Sequence, residues 1–560
     1  MLPAETRLRA LGGLVLLGLV AWFAHFHMSG EFLFYEDDYA KVGDAMARDF
    51  PQMAYNFFCH LRDWPQGRPL SFGLIAPLSF LGVKINGLWG VYMVGYGILL
   101  VNAVLFFLLV QKIAGRNAAI FGVLAFCLFP ADTLKAWPTH FMGNEPAIFF
   151  MLLAFLLYLG RFRVFAYPMI FLATLTYEST LLPFLAAPLL DQNRPAPLPK
   201  RLTRHLLAMA ALAAVYCAIR MSLGEPRMTQ QLASMGLWQI GYKALSAMVM
   251  GPYTVLKAFL LPPLPQFGWF SLEGMMVMGT ILAGCMGLLA FSVKQDTSDT
   301  GFPWKLFGAG WVVLALSYPM AFFPPHWPPT ALATTASRVH FAATVGGSLV
   351  VGILCGHIFG LAVRKGMAGI FMVAVSLYFA LLGGYHYSIQ QDYTHSANRQ
   401  KQFWAEILAL CPDLGENTVI LAEQPLWDHP GLMSTHSWAT RLVLEKLIRF
   451  PLDWQNPPQL YCMDQWVKDH VFQEPDQIVW REIIYDQVFR PHVLEPENVI
   501  VLALGESGAM KRLYGNYRLG PSQSVVLRLK PGGPSTLPLF SAGVVYPYVI
   551  GGTYPPPGKE

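Results

Sequence analysis

Glu36, Asp37 and Asp38 are three consecutive carboxylates in the stretch FLFYEDDYAKVGD, residues 32–44. Adjacent acids repel one another unless one is protonated, paired or bound to a metal, so the run has a cost that solubility alone does not require. Neighbouring carboxylates and partial burial raise an aspartate's pKa towards neutrality, which makes it a better general base for an acceptor hydroxyl. Asp37 and Asp38 can supply that base. Glu36 and Asp38 are also the residues that could hold a divalent metal ion. The plain alternative is a solvated acidic turn.

A group transfer that takes a proton from an acceptor also needs cations to hold a leaving phosphate. Arg68, in GRPLS, and Arg338, in SRVH, are placed to do this, because the planar guanidinium fork binds phosphate bidentately. For Arg338 the competing reading is a snorkelling interfacial side chain; for His340 it is a satisfied histidine at a helix end. Glu178, in TYEST, lies at a tip close to the membrane, where a carboxylate needs a cation or an acceptor group beside it. KAWPTHFMGNE offers Lys135, His140 and Glu145; His140 could touch a donor phosphate, against the alternative of a plain polar loop. FFPPHWPPT frames His326 and Trp327 with prolines, an aromatic-belt turn or part of a substrate lid.

These residues must be positioned by membrane helices. The chain has 560 residues, 54% hydrophobic and 13% charged, with a mean hydropathy of +0.42, far from a soluble average. A bilayer core of about 30 Å takes roughly 20 apolar residues per crossing. Suitable runs fall at 10–28, 86–112, 117–135, 144–160, 164–177, 179–190, 204–222, 272–293, 305–323, 339–363 and 367–385, about eleven crossings. The first is read as a retained helix, since no small-residue cleavage site follows it. The net charge of +5 lies in short loops between apolar runs, which excludes a nucleic-acid footprint and reads as an orientation signal.

The two short runs at 164–177 and 179–190 have basic flanks at both ends, Arg161 and Arg163 before and Arg194, Lys200, Arg201 and Arg204 after, so the chain must cross and return. The amino terminus is then cytoplasmic. The long first loop, 29–85, the tip at Glu178, the loops at His140 and His326, and everything after residue 385 face outward. In the first loop, amphipathic patterning is followed by an apolar piece too short to span, which would lie along the membrane surface.

Two domains follow: a transmembrane catalytic domain over 1–387 and an outer-face, periplasmic α/β domain over 388–560 with a Pro/Gly-rich tail. NTVILAE, NVIVLAL and SVVLRLK read as buried strands, and NRQKQFWAEILALC and HSWATRLVLEKLIRF as amphipathic helices. The tail after Lys530 reads as extended or loosely ordered chain. Cys411 and Cys462 could bridge in an oxidising compartment or stand as two buried thiols.

A first membrane helix, an acidic pair, Asp37–Asp38, just outside it, amphipathic helices, the Arg68–Pro69 segment, further helices with SRVH, and a carboxy-terminal outer domain together resemble the GT-C superfamily of integral-membrane glycosyltransferases, such as protein O-mannosyltransferases and lipid A aminoarabinose transferases. The resemblance covers the layout of the whole chain on few specific motifs. It implies an inverting transfer of a sugar from a polyprenyl-phosphate donor to a protein, lipid or glycan on the outer face of the cytoplasmic membrane. Asp37, the first acid of the pair, would then be the base, and Arg68, Arg338, His340, Glu178 and His140 the donor-binding set. The implied partners are membrane lipids, the lipid-linked sugar and its acceptor, and no nucleic acid. The alternatives are an O-antigen polymerase or ligase, which would depend on outer arginines, and a transporter or flippase of lipid-linked sugars, which would carry mid-bilayer charges and repeats.

Overall fold

The structure is a computed structural model of the chain. It describes all residues except 1–3, 36, 193–196, 224–235, 262–270, 294–300, 323–329, 331, 333–334, 423–442, 464–470, 475–476, 485–486, 506–508, 520–524 and 553–560. Among the described residues six helices are long and apolar enough to cross a membrane: Pro69–Cys127, Pro138–Leu159, Leu198–Ser222, Leu272–Ser292, Ala343–Arg364 and Ala368–Leu410. Four shorter apolar helices accompany them: Leu11–His25, Arg163–Thr176, Glu178–Leu190 and Trp304–Leu316. The chain is a polytopic helical membrane protein with strands in its carboxy-terminal region. It forms two compact units, Met1–Gly30 with Arg48–Asp392, and Glu31–Ala47 with Tyr393–Glu560.

In the first unit, α1 (Ala4–His25) precedes, in chain order after α2 of the other unit (Asp38–Ala47), the amphipathic helix α3 (Phe50–Asp63). A capping box starts α3: Asp49 accepts from the Gln52 N–H at 2.9 Å and Gln52 returns a bond to the Asp49 N–H at 3.2 Å. The apolar piece after Arg68 is the start of α4 (Pro69–Cys127), which breaks at Asn86, Gly87 and Gly115. The first break brings Gly82 so close to the following turn that an added Cβ would lie 2.5 Å from Val91 Cα. Next come α5 (Pro138–Gly143), α6 (Glu145–Leu159) and α7 (Ala166–Thr176).

The two short runs are separate, as the basic flanks require. Helix α7 ends at Tyr177, which is extended (φ −155°), and two 3-10 turns lead to α8 (Ala187–Leu190). Arg163, at the start of this segment, pairs with Asp191 at its end, and Arg201 donates to the Asp191 carbonyl at 2.6 Å. Out and back is thus closed by an ion pair.

Beyond α9 (Leu198–Ser222) lies a helix that the apolar runs do not announce, α10 (Leu237–Leu260). Gln239, Lys243, Pro252 and Lys257 interrupt its hydropathy, yet Ala247, Val255, Ala258 and Phe259 are buried, and Phe259 meets Phe129 edge-on at 5.6 Å. Four more helices complete the set: α11 (Leu272–Ser292), α12 (Trp304–Leu316), α13 (Ala343–Arg364) and α14 (Ala368–Leu410).

The second unit is built on a four-stranded sheet in the order β3-β1-β7-β8, with β1 Val419–Ala422, β3 Gln459–Cys462, β7 Val499–Leu504 and β8 Met510–Leu513. Strand β1 runs parallel to β3 and β7, and β8 closes the edge antiparallel. Parallel strands are covered on both faces, so VILA and VIVLA are continuous apolar runs and not alternating ones. The third expected strand is β10 (Val525–Arg528), paired with β9 (Asn516–Leu519); β2 (Ile448–Arg449) pairs with β11 (Ser541–Ala542), and β4 (Val471–Glu474), β5 (Gln477–Ile484) and β6 (Gln487–Leu494) form an antiparallel sheet.

Glu31–Ala47 folds with this unit: the Tyr35 hydroxyl donates to the Tyr393 carbonyl and the Tyr39 hydroxyl to Gln400, both at 2.8 Å, and Asp44 pairs with Lys446. The Pro/Gly-rich tail, expected as extended or loosely ordered chain, has no helix or strand over 529–536 and is anchored further on, up to Ile550. Gly543 N–H donates to the Leu447 carbonyl at 2.7 Å, and Val545, Tyr546 and Val549 are buried. Cys411 is a buried free thiol, its pKa pushed up to about 12 by burial; the Cys462 side chain lies outside the described residues.

Candidate functional site

Arg68 is delivered by a tight turn between α3 and α4. Trp64, Gln66 and Gly67 all have positive φ (44°, 54° and 72°), and a Cβ at Gly67 would lie 2.4 Å from Arg220 Nε. Only glycine meets both demands. The fork of Arg68 closes on Glu178, Nε to Oε2 at 2.7 Å and Nη2 to Oε1 at 2.6 Å, while Cζ stacks 3.9 Å from the Tyr177 ring centre.

The extended Tyr177 is what turns both side chains towards Arg68. On α9, Arg220 donates to the Tyr216 hydroxyl at 3.1 Å, and that hydroxyl donates to the Gly67 carbonyl at 3.0 Å. Burial works against both charges of the pair. Mutual attraction outweighs it, holding Arg68 more firmly protonated than a free arginine and Glu178 below the usual carboxylate range, with Arg220 adding to the latter.

His140 is buried in α5, its Nδ1 2.8 Å from Asn144 Nδ2 and its ring 4.6 Å from Trp137. Arg68, Glu178, His140 and Arg338 all belong to the first unit. Arg338 is half-buried on the 3-10 turn Thr335–His340. His340 is fully buried, with its Nδ1 2.7 Å from the Tyr318 hydroxyl.

The acidic run belongs to the other unit. Asp37 is half-buried and its carbonyl accepts the Lys41 N–H at 2.9 Å, as the residue before a helix does. Asp38 opens α2 and is wholly buried, and its Oδ2 accepts the Tyr35 N–H at 2.9 Å. Burial and the Asp38 charge raise the pKa of the Tyr39 phenol. Glu36, His326 and Trp327 lie outside the described residues. Among the described residues no three His, Cys, Asp or Glu side chains come together as metal ligands.

KAWPTHFMGNE is not a plain outer loop. Lys135 Nζ bridges Asp132 Oδ2 at 3.4 Å and Glu145 Oε1 at 3.1 Å, with all three side chains at most 8% exposed. Asn102 on α4 donates to Glu145 Oε2 at 2.8 Å. Burial pushes the Asp132 carboxyl up, while the two carboxylates keep Lys135 protonated against the same burial. Asn102, Asp132 and Arg220 escaped the sequence reading, because no spacing links them to their partners.

No protein-family model matches the chain, and no curated protein matches it. It is similar to the crystal structure of ArnT from Cupriavidus metallidurans in the apo state, at 15% identity over 75% of this chain and 83% of that one, with a TM-score of 0.32. The same protein bound to undecaprenyl phosphate aligns at 15% identity over 73% and 82%, also with a TM-score of 0.32.

Proposed function

We propose that the protein is a membrane glycosyltransferase that moves a sugar from a polyprenyl-phosphate donor to an acceptor on the outer face of the cytoplasmic membrane. The observation that carries this reading is that Arg68, held by Glu178 at the start of α4, and the half-buried Arg338 belong to the first unit, among helices long and apolar enough to cross a membrane. Guanidinium forks at the end of such helices suit a lipid phosphate that must stay at the membrane surface while its tail stays in the bilayer. Arg338 is assigned to the donor phosphate. Arg68, whose Nε and Nη2 are held by Glu178, is assigned to it as well, through the remaining N–H groups on Nη1 and Nη2.

Asp37 is assigned as the general base. Its partial exposure supports this choice over Asp38, whose carboxylate is wholly buried and spent on the Tyr35 N–H. Asp38 holds the turn that presents Asp37. In an inverting transfer the acceptor oxygen attacks the anomeric carbon, its proton passes to Asp37, and the bond to the donor phosphate breaks with the electron pair leaving on phosphate. The arginines stabilise the charge that develops there.

Purified protein incubated with a panel of prenyl-phosphate sugars tests the assignment. Arg338→Ala should weaken donor use by about 1.5 to 3 kcal/mol, the worth of a charge-assisted contact, and Arg338→Lys should recover part of it. Unchanged kinetics in both would make Arg338 a snorkelling side chain.

A further inference from the structure

Every residue from Ala118 to Ile148 is buried, including the whole connection between α4 and α5. Connecting segments normally run over the surface, where water satisfies their backbone. This one carries Asp132, Thr133, Lys135, His140, Asn144 and Glu145 into the interior, so its polar groups must be satisfied from within.

The partners fall into a chain of bonds. Asn102 Nδ2 holds both the Glu145 carbonyl (3.1 Å) and Oε2 (2.8 Å), Glu145 Oε1 holds Lys135, and Lys135 reaches back to Asp132, whose Oδ1 accepts the Leu134 N–H at 3.1 Å. Thr133 is thereby fixed on both sides. Its N–H, at 3.3 Å, and its hydroxyl, at 2.8 Å, both meet one atom, Ser337 Oγ. Ser337 is fully buried and adjoins Arg338.

A buried ion cluster is a poor way to stabilise a loop, since apolar packing of the same volume is often as good or better. What it can do is hold a single geometry. We infer that Thr133 and Ser337, held by the Asp132–Lys135–Glu145 cluster, are positioning residues that fix the Arg338 turn for the donor phosphate. This rests on the assignment of Arg338 made above. Neither hydroxyl touches the reacting atoms, so the effect runs through Arg338 alone.

Full-length Thr133→Val, Thr133→Ser and Ser337→Ala proteins test this in two ways. With a prenyl-phosphate sugar, Thr133→Val and Ser337→Ala should each raise the donor KM about tenfold with kcat held within about twofold, the cost of a misplaced phosphate ligand. Thr133→Ser should restore it. In an Arg338→Ala background Thr133→Val should add nothing, because two changes acting through one group do not sum. Effects that multiply in the double variant, or an unchanged KM in both single variants, would overturn the inference.

Hydrogen exchange over residues 335–340 reads the same geometry without any donor. It should quicken in Thr133→Val and in Lys135→Met and return to normal in Thr133→Ser. Unchanged exchange there overturns the inference whatever the kinetics show, whereas an Arg338→Ala protein with normal donor KM contradicts the function proposed for Arg338.

Discussion

Two of the buried ion clusters among the described residues are made of the same chemistry and built differently. In the first unit, Lys135 sits between Asp132 and Glu145, so that carboxylates outnumber cations, and the cluster meets the backbone only through neighbours, Asn102 at the Glu145 carbonyl and the Leu134 N–H at Asp132. In the second, Asp413 meets two cations. It pairs with Arg512 through both oxygens, and its carbonyl accepts from Lys530 Nζ at 2.8 Å. Donors there also reach backbone: Arg512 touches the Leu410, Lys530 and Pro531 carbonyls at 3.4 Å, and Gly533 N–H meets Asp413 Oδ2 at 3.2 Å. The Asp413 cluster ties carbonyls from α14 and from the segment after β10 together, as a staple of the fold does. The Lys135 cluster flanks Thr133, whose partner Ser337 adjoins Arg338, and is proposed to position that turn.

The largest effect expected from this contrast is at Asp413. Asp413→Ala leaves Arg512, whose side chain is 5% exposed, without its carboxylate, and a guanidinium cannot escape by losing its proton. The loss should be about 3 to 5 kcal/mol, read as faster hydrogen exchange throughout β7 and β8. Lys135→Met should cost less, about 1.5 to 3 kcal/mol, because the carboxylates left behind can take up a proton. If Lys135→Met proves the more damaging of the two in denaturation, the distinction between staple and positioning cluster fails.

Acid should separate the clusters further. Burial opposes the Asp413 charge, but the bonds and charge of Arg512 outweigh it and hold the carboxyl below its ordinary value. Its stabilisation is therefore complete above the ordinary carboxylate range and is lost as the pH falls through the lower folded value. Stability of the second unit should stay level near neutrality and fall below about pH 4, and Asp413→Asn should flatten that part of the profile. The smallest effect belongs to the exposed pair of Arg62 and Asp63, with side chains 74% and 55% exposed; Arg62→Ala should leave the unfolding midpoint where it is.

Much of the layout was legible because hydropathy acts locally. Apolar runs announced most of the long helices, and VILA and VIVLAL announced the central strands. The return of the chain between Arg163 and Asp191 followed from basic flanks alone. Helix α10 was hidden because Lys243, Pro252 and Lys257 break its run, while its burial is decided by Phe129 and Tyr318 from distant segments. Arg68 and Glu178 could each be named, since a carboxylate near the membrane needs a cation. That each is the other's partner across 110 residues could not be read. The polar letters of KAWPTHFMGNE suggested a surface loop because bonds that satisfy them come from Asn102 and Asp132, and the tail after Lys530 looked loose because its anchors are the backbone of Lys446 and Leu447.

The most direct test of the proposed function is turnover by the purified full-length protein on a panel of polyprenyl-phosphate sugars, measured for wild type, Asp37→Asn and Asp38→Asn. The account predicts that wild type transfers sugar from at least one such donor and that Asp37→Asn, which keeps shape and removes basicity, lowers turnover about 100-fold or more while donor binding persists. Absence of transfer from every prenyl-phosphate sugar, or near-normal turnover in both aspartate variants, would contradict it.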